Sequence, residues 1–422
     1  MSGAAAEEAQ ILKLTLHERL VGYLIGFHSG HNALVFADEF RRDPYRPTFS
    51  LVTHPDFPRA ETMLAAPWGR RQRLHPVLSN LLPEGALRQY LAESLAVHID
   101  DEFSMLAHLG DDLPGALVAE PLDPQAVPEH ILAAWGHARP VKFAASAAQR
   151  KFSLAGVQMK FSMKAREGRY TFRDEGELGD WIIKTPSSLH RHVPANEYTA
   201  MTLAERVGVD TPEIRLVDMD ELEGLPDIPL PPEDQAFAIK RFDREGNRRI
   251  HMEDFAQVLV KYPHDKYRGG NYGQIGEILY RYSGDGLADI QQLARRLLVN
   301  ILLANGDAHL KNWSLLYRDA KTPRLAPAYD IVTTSVYIEN EREFALNLAR
   351  TKRWYEVTSH HFEKWADRVG VPWRAIRPHL NDVMEKARTL WPTELNHLPM
   401  DSGHKKRLRE HWNRLHPDFR IQ

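Results

Sequence analysis

No cysteine occurs in the 422 residues, which excludes disulfides, thiolate metal sites and cysteine nucleophiles and fits a reducing compartment. No apolar run approaches the ~18 uninterrupted residues of a membrane-spanning helix. The start, Met-Ser-Gly-Ala-Ala-Ala-Glu-Glu-Ala-Gln, lacks the cationic stretch and apolar core of a secretion signal. A soluble cytoplasmic protein with no membrane association is expected. An excess of charge is also missing: 54 Lys and Arg against 57 Asp and Glu leave a formal net charge of −3, so no general attraction to nucleic acid operates. DNA would have to be met through a local patch or a partner.

What is present is ordinary globular material, 43% hydrophobic and 26% charged, in a chain too long for one core. Residues 11–24 near-alternate as strands do, and Asn32–Phe36 add a short apolar stretch. Between Pro76 and His98, Leu82, Leu87, Tyr90, Leu91 and Leu95 recur at helical spacing, with Pro83 near a start, and a second helix begins near Asp100–Glu102. Residues 110–150 are turn-rich and proline-rich, which places a domain boundary near 120–148. Beyond it come strands at 152–164, Tyr170–Arg173 and Trp181–Lys184, a helix at Ala195–Arg206, a proline-rich loop at Leu222–Asp234 and a strand at Ala236–Phe242. Ile290–Ala304 reads as a buried helix closed by a left-handed turn at Asn305-Gly306, and 359–415 as several more helices.

That turn leads into Ala304-Asn-Gly-Asp-Ala-His-Leu-Lys-Asn312, and Pro327-Ala-Tyr-Asp330-Ile follows downstream. Phosphoryl transfer needs a carboxylate at the acceptor hydroxyl and hard oxygen ligands for magnesium, because positioning and charge neutralisation carry most of the catalysis. Asp307, Asn312 and Asp330 supply these groups in the order a kinase uses. A plain helix-ending turn, with Asp307 capping backbone amides, accounts for the tripeptide alone. The joint spacing favours the kinase reading. Lys184 at the end of Trp-Ile-Ile-Lys and Glu197 on the next helix match the lysine that holds nucleotide phosphates and the glutamate that orients it. A solvated strand-end lysine and a first-turn helix charge are their bland counterparts. Ser153-Leu-Ala-Gly-Val-Gln-Met-Lys160 is the candidate phosphate loop, although it matches neither a Walker nor a Gly-x-Gly-x-x-Gly pattern. His309 beside two carboxylates raises a hydrolytic metal site, for which the other histidines are too scattered. The basic run His404–Arg414 reads best as a solvated helix face.

These residues, together with Asn80-Leu-Leu-Pro-Glu-Gly-Ala-Leu-Arg88, Gly110-Asp-Asp-Leu-Pro-Gly-Ala116, Val193-Pro-Ala-Asn-Glu-Tyr198, Lys240-Arg-Phe-Asp-Arg244 and Glu253-Asp-Phe-Ala-Gln257, make the chain resemble the HipA family of bacterial serine/threonine-protein kinases, the toxin halves of toxin–antitoxin pairs. The resemblance implies an α+β, kinase-like two-lobed fold. Its parts would be a flexible leader at 1–10, a β-rich N-terminal subdomain at 11–148, a nucleotide-binding small lobe at 149–245 and a mainly helical catalytic lobe at 246–422. It implies ATP and magnesium as cofactors and Asp307 as catalytic base. ATP would be bound by Ala155, Gly156, Val157, Gln158, Met159 and Lys160, by Lys184, by Lys240, Arg241 and Phe242, and by His309, Leu310, Lys311, Asn312, Tyr329 and Asp330. Asn312 and Asp330 would also hold the metal, Glu197 would orient Lys184, and Ser153 would be autophosphorylated. The implied partners are a HipB-like helix-turn-helix antitoxin, operator DNA reached mainly through it, and a protein substrate such as an aminoacyl-tRNA synthetase. Phe49–Pro55, Met159 and Lys240 depart from the family pattern and bear on target choice. A small-molecule kinase of aminoglycoside-kinase type and a catalytically silent antitoxin-binding scaffold are the competing readings.

Overall fold

His17 and Glu18 both adopt left-handed backbone, with φ of 50° and 62°, the geometry that a two-residue hairpin turn demands. They join β1 (Glu7–Leu16) to β2 (Arg19–Phe27). The computed structural model describes residues 7–129, 131, 138–143, 158–166, 168–171, 177–225 and 230–422. It divides into two units, one of residues 1–154, 248–263 and 317–322, the other of 155–247, 264–316 and 323–422.

In the first unit β1 and β2 continue into β3 (His31–Phe36) and β4 (Trp68–Arg71), while β5 (Leu117–Pro121) and β6 (Ala138–Pro140) share the other edge of β1. Leu12, Leu14 and Leu16 alternate onto one face and are fully buried with Leu24, Leu34 and Phe36. Each such leucine contributes about 2 kcal/mol by leaving water. Ile11, Tyr23 and Ile25 cover the other face with Val127 and Ile131.

Two expectations are corrected here. The leader does not extend to residue 10, because Glu7–Ala9 pair in parallel with Ala138–Pro140. The proline-rich crossing supplies β5 and β6, and Pro140 is tolerated because β6 is a short edge strand. As expected, a helix starts just past Pro83, at Gly85–Ser94; a separate short helix, Pro76–Ser79, precedes it, and the helical stretch read as far as His98 ends at Ser94. The next helix, Glu102–Leu109, starts as expected, with Asp101 accepting from the Ser104 amide at 3.1 Å.

The second unit carries a sheet of order β10-β12-β9-β7-β8-β11, built from β7 (Lys160–Arg166), β8 (Arg169–Thr171), β9 (Trp181–Lys184), β10 (Ile214–Asp218), β11 (Leu222–Glu223) and β12 (Gln235–Lys240). The expected 222–234 loop is corrected at its start, where Leu222–Glu223 pair in parallel with Tyr170–Thr171. Helix Val193–Arg206 packs on β10 and β12. Helix Gly286–Leu302 buries Ile290, Leu293, Leu297, Leu298 and Ile301 against helices Tyr272–Tyr282 and Trp373–His397. Helices Ser359–Val369, Trp373–His397 and Ser402–Arg414 complete the C-terminal region. The chain is therefore a mixed α+β protein. No described helix is long and apolar enough to cross a membrane.

Candidate active site

Lys184 closes β9, where the register sets it opposite Lys160 of β7 on one side and Phe237 of β12 on the other. Directly opposed residues share a face of the sheet, so both lysines point the same way. Lys184 is only 4% exposed, and a buried ammonium persists only when paired. It donates to Glu197, from helix Val193–Arg206, and to Asp330. Lys160 Nζ reaches the other Asp330 oxygen at 3.2 Å. Burial alone would raise the Asp330 pKa, but the Lys160 and Lys184 ammoniums outweigh it and hold the carboxyl well below the usual carboxylate range. Burial would likewise lower Lys184, and Asp330 and Glu197 carry it above the ordinary lysine value instead. Asp330 has a left-handed backbone, φ 54°, a conformation uncommon outside glycine and concentrated at functional positions.

The Asp307 loop is held by a hydrogen-bond network that spacing did not reveal. The left-handed residue after helix Gly286–Leu302 is Ala304, φ 50°, and not the expected Asn305-Gly306 pair. Asn305 is instead buried and spends its side chain on contacts: its Oδ1 accepts from the Asp307 amide at 3.0 Å, and its Nδ2 donates to Asn300 Oδ1 at 2.6 Å and to the Asp330 carbonyl at 3.4 Å. One side chain thereby ties the backbone at Asp307 to the backbone at Asp330. The strained Ala304 is steadied through its carbonyl, which accepts from the Thr334 amide at 3.2 Å. A Cβ at Gly306 would displace the Glu341 carboxyl, 2.2 Å away, and press on the Glu343 carbonyl at 3.1 Å. The Ala308 carbonyl accepts from Tyr272 Oη at 2.9 Å and from Trp313 Nε1 at 3.2 Å. Asn196 grips the segment after Asp330 by two 3.0 Å bonds to the Thr333 amide and carbonyl. Only the Asn-Gly-Asp tripeptide hinted at Asn305; Asn196 was in view only inside the Val193–Tyr198 motif, without a role, and Thr334 carried no signal.

Asn312 donates through Nδ2 to the Asp307 carbonyl at 2.8 Å, which leaves its Oδ1 as a hard oxygen donor. With the anionic Asp330 carboxylate, it forms a donor set suited to magnesium, which takes one or two protein oxygens and fills its shell with water and phosphate. Among the described residues no group of three or more His, Asp or Glu side chains gathers to hold a metal. Phe242 and Tyr329 bring their rings to 5.7 Å, and the Tyr329 hydroxyl donates to the Lys311 carbonyl at 2.7 Å.

The remaining expected residues divide. Leu310 is fully buried and Met159 is 4% exposed, with the Met159 carbonyl accepting from the Thr185 amide at 3.0 Å. Lys240 points to Glu213 at 3.4 Å. Arg241 has its guanidinium committed to Asp243 at 2.8 and 2.9 Å and to Ser162 at 2.9 Å, so its side chain is engaged in holding the sheet. Gln158 and His309 lie within the described part of the same unit. Ser153, Ala155, Gly156 and Val157 lie outside the described residues.

Residues 12–120 match the profile described as HipA N-terminal domain, and residues 152–391 match the HipA-like C-terminal domain. The chain is 39% identical over 392 residues, 92% of its own length and 93% of the relative's, to a Sinorhizobium fredii protein named "Putative kinase Y4dM". It is 25% identical over 365 residues, 78% of its length and 79% of the relative's, to the serine/threonine-protein kinase toxin HipA of Shewanella oneidensis. A solved structure of the Shewanella oneidensis HipA, HipB and operator DNA complex superposes with a TM-score of 0.71 and 21% identity over 96% of this chain and 97% of that one, a likeness of fold.

Proposed function

Because the chain belongs to the HipA family of kinase-like proteins, we propose that it is an ATP- and magnesium-dependent protein serine/threonine kinase, the toxin of a bacterial type II toxin–antitoxin pair. The single observation that carries this reading is Lys184 held between Glu197 and Asp330 in the unit that also holds Asp307 and Asn312. Phosphoryl transfer needs a preorganised cation for the phosphates, a carboxylate base and oxygen ligands for the metal, and these residues supply all three. Lys184 and Lys160 place two ammoniums to screen phosphate oxygens. Asp307 accepts the proton of the attacking hydroxyl. Magnesium, which Asp330 and Asn312 would hold, neutralises phosphate charge when bound. Phe242 and Tyr329 offer an aromatic wall for a base, and Asn305 keeps Asp307 and Asp330 in a fixed relation.

The finer reading follows the relatives. A translation protein such as an aminoacyl-tRNA synthetase is the acceptor, Ser153 is the self-phosphorylated residue, and a HipB-like helix-turn-helix protein neutralises the kinase and carries it to operator DNA. The solved relative in complex with HipB and its operator supports the partner, and the near-zero net charge of −3 suits DNA contact made chiefly through that partner. Incubation with labelled ATP, magnesium and a cell lysate should label Ser153 and a few proteins. Labelling confined to small molecules would refute the protein-kinase assignment, and persistence of labelling in Asp307→Asn would refute the base.

A further inference from the structure

Asp307 presents its two carboxylate oxygens to different surroundings. Oδ1 accepts a hydrogen bond from the Tyr267 hydroxyl and lies 3.9 Å from His309 Nε2. Oδ2 has no hydrogen-bond partner among the described residues. Tyr267 comes from Pro263–Gly269, outside the motif that supplies Asp307, and three contacts seat it. The Leu310 amide donates to the Lys266 carbonyl at 3.2 Å, tying this segment to the catalytic loop. The Arg268 and Gly269 amides both donate to the Asp265 carbonyl, at 2.9 and 2.7 Å, closing the turn on which Tyr267 rides. The Tyr267 ring meets the His309 ring edge-on, with centroids 5.0 Å apart and planes at 82°. His309 is buried and Tyr267 is 42% exposed, so the phenol stands at the open side of the loop with its orientation set from beneath.

We infer that Tyr267 is a positioning residue for phosphoryl transfer: its hydroxyl engages Oδ1 of Asp307 and thereby presents Oδ2 to the acceptor hydroxyl. A carboxylate on a single short side chain otherwise rotates about its terminal torsion with little restraint. A base that rotates away from the attacking hydroxyl loses the near-attack geometry on which this kind of catalysis depends. The backbone bonds from Asn305 and Asn312 fix where Asp307 sits, and Tyr267 fixes which oxygen faces out. Nothing in the spacing of Asp307, Asn312 and Asp330 calls for a tyrosine forty positions upstream of the base. The inference rests on the assignment of Asp307 as base.

The test measures steady-state ADP release and ATP binding for the full chain and for Tyr267→Phe, Tyr267→Ala and Asp307→Asn, with mass spectrometry of the wild-type protein after incubation with ATP and magnesium. Phe keeps the ring against His309 and removes only the hydroxyl. It is expected to lower kcat by about ten- to a hundredfold, with KM for ATP and ATP affinity unchanged. Wild-type turnover in Tyr267→Phe beside an inactive Asp307→Asn overturns the inference and leaves the kinase reading standing. A loss confined to Tyr267→Ala assigns the effect to ring packing and overturns it as well, as does a joint loss of kcat and ATP affinity in Tyr267→Phe. Phosphate on Tyr267 itself would make it an acceptor and not a positioning group. Undiminished turnover in Asp307→Asn removes the base assignment and the inference with it.

Discussion

Two carboxylates, Glu253 in the first unit and the partly exposed Asp330 in the second, are stabilised in opposite ways. Glu253 in the first unit is 1% exposed and meets only neutral donors. Its Oε1 accepts from the Leu51 amide at 2.7 Å and from the Tyr317 hydroxyl at 2.5 Å, and its Oε2 from the Ser50 hydroxyl at 2.7 Å. Burial pushes its pKa up to about 7 against these three donors. Asp330 in the second unit meets two ammoniums and stays ionised. Neutral donors tie one carboxyl into the fold, as suits a structural pin joining residues 50–51, 253 and 317. Two ammoniums hold the other, and one of them, Lys160, has a side chain 47% exposed, so its partner can be exchanged for a phosphate or a metal. Both the surrounding groups and the greater exposure of Asp330 separate the two carboxylates.

The contrast can be broken most severely at Lys184. Lys184→Met leaves Glu197 and Asp330 facing each other without their shared cation. Transfer should fall by about 10³-fold or more, and unfolding should show a loss on the order of 3–5 kcal/mol unless a carboxyl takes up a proton. An unchanged rate and melting curve would remove Lys184 from the centre of the site. Next in size is Glu253→Ala, which strands three donors in the first unit. Chemical denaturation should report a loss of about 3–4 kcal/mol, while Glu253→Gln, able to accept from Leu51 and Tyr317 and donate to Ser50, should lose far less.

The pH dependence sharpens the same contrast. A solvent-exposed glutamate titrates near 4.5 and Glu253 in the fold near 7, so the folded chain keeps a proton that the unfolded chain releases between those values. Its contribution to stability is full below pH 4.5 and is lost as pH rises toward 7, a change on the order of 3 kcal/mol. Glu253→Gln should flatten that slope in denaturation curves taken from pH 5 to 8; an equal slope in both proteins would reassign it. Asp330 should add no slope in this range, because it stays ionised throughout. The smallest stability effect belongs to Lys160→Met, where an exposed ion pair is worth less than ~1 kcal/mol, yet transfer should still drop about tenfold through lost phosphate screening. A large melting shift with full activity would reverse the role given to Lys160.

Most of the secondary structure around the site was legible because short range decides it: the apolar run Trp181–Lys184 stops before Pro186, the helix through Glu197 is made of helix formers with few breakers, and the helix before Ala304 announced itself by periodicity. The order Lys184, Glu197, Asp307, Asn312, Asp330 was legible as chemistry, since few functions need those types in that sequence. Contacts that depend on chain reversal were not. Lys160 opposite Lys184 follows from strand register, Tyr267 on Asp307 from a turn docking on a distant loop, and the Asn305 link to Asp330 from two segments meeting. The commitment of the Arg241 guanidinium to Ser162 on another strand was hidden for the same reason. β5 and β6 escaped notice because prolines in their segment argue locally for turns, while pairing with β1 decided the outcome.

The central claim is that Asp330, gripped by two lysines, belongs to a working phosphotransfer centre. It is tested most directly by measuring transfer of labelled γ-phosphate at increasing magnesium for the wild-type chain and for Asp330→Asn. Magnesium-dependent transfer is expected in the wild type, with a loss of at least about 10³-fold in the variant that added magnesium does not restore. Transfer by Asp330→Asn at the wild-type rate and with the wild-type magnesium dependence would contradict it.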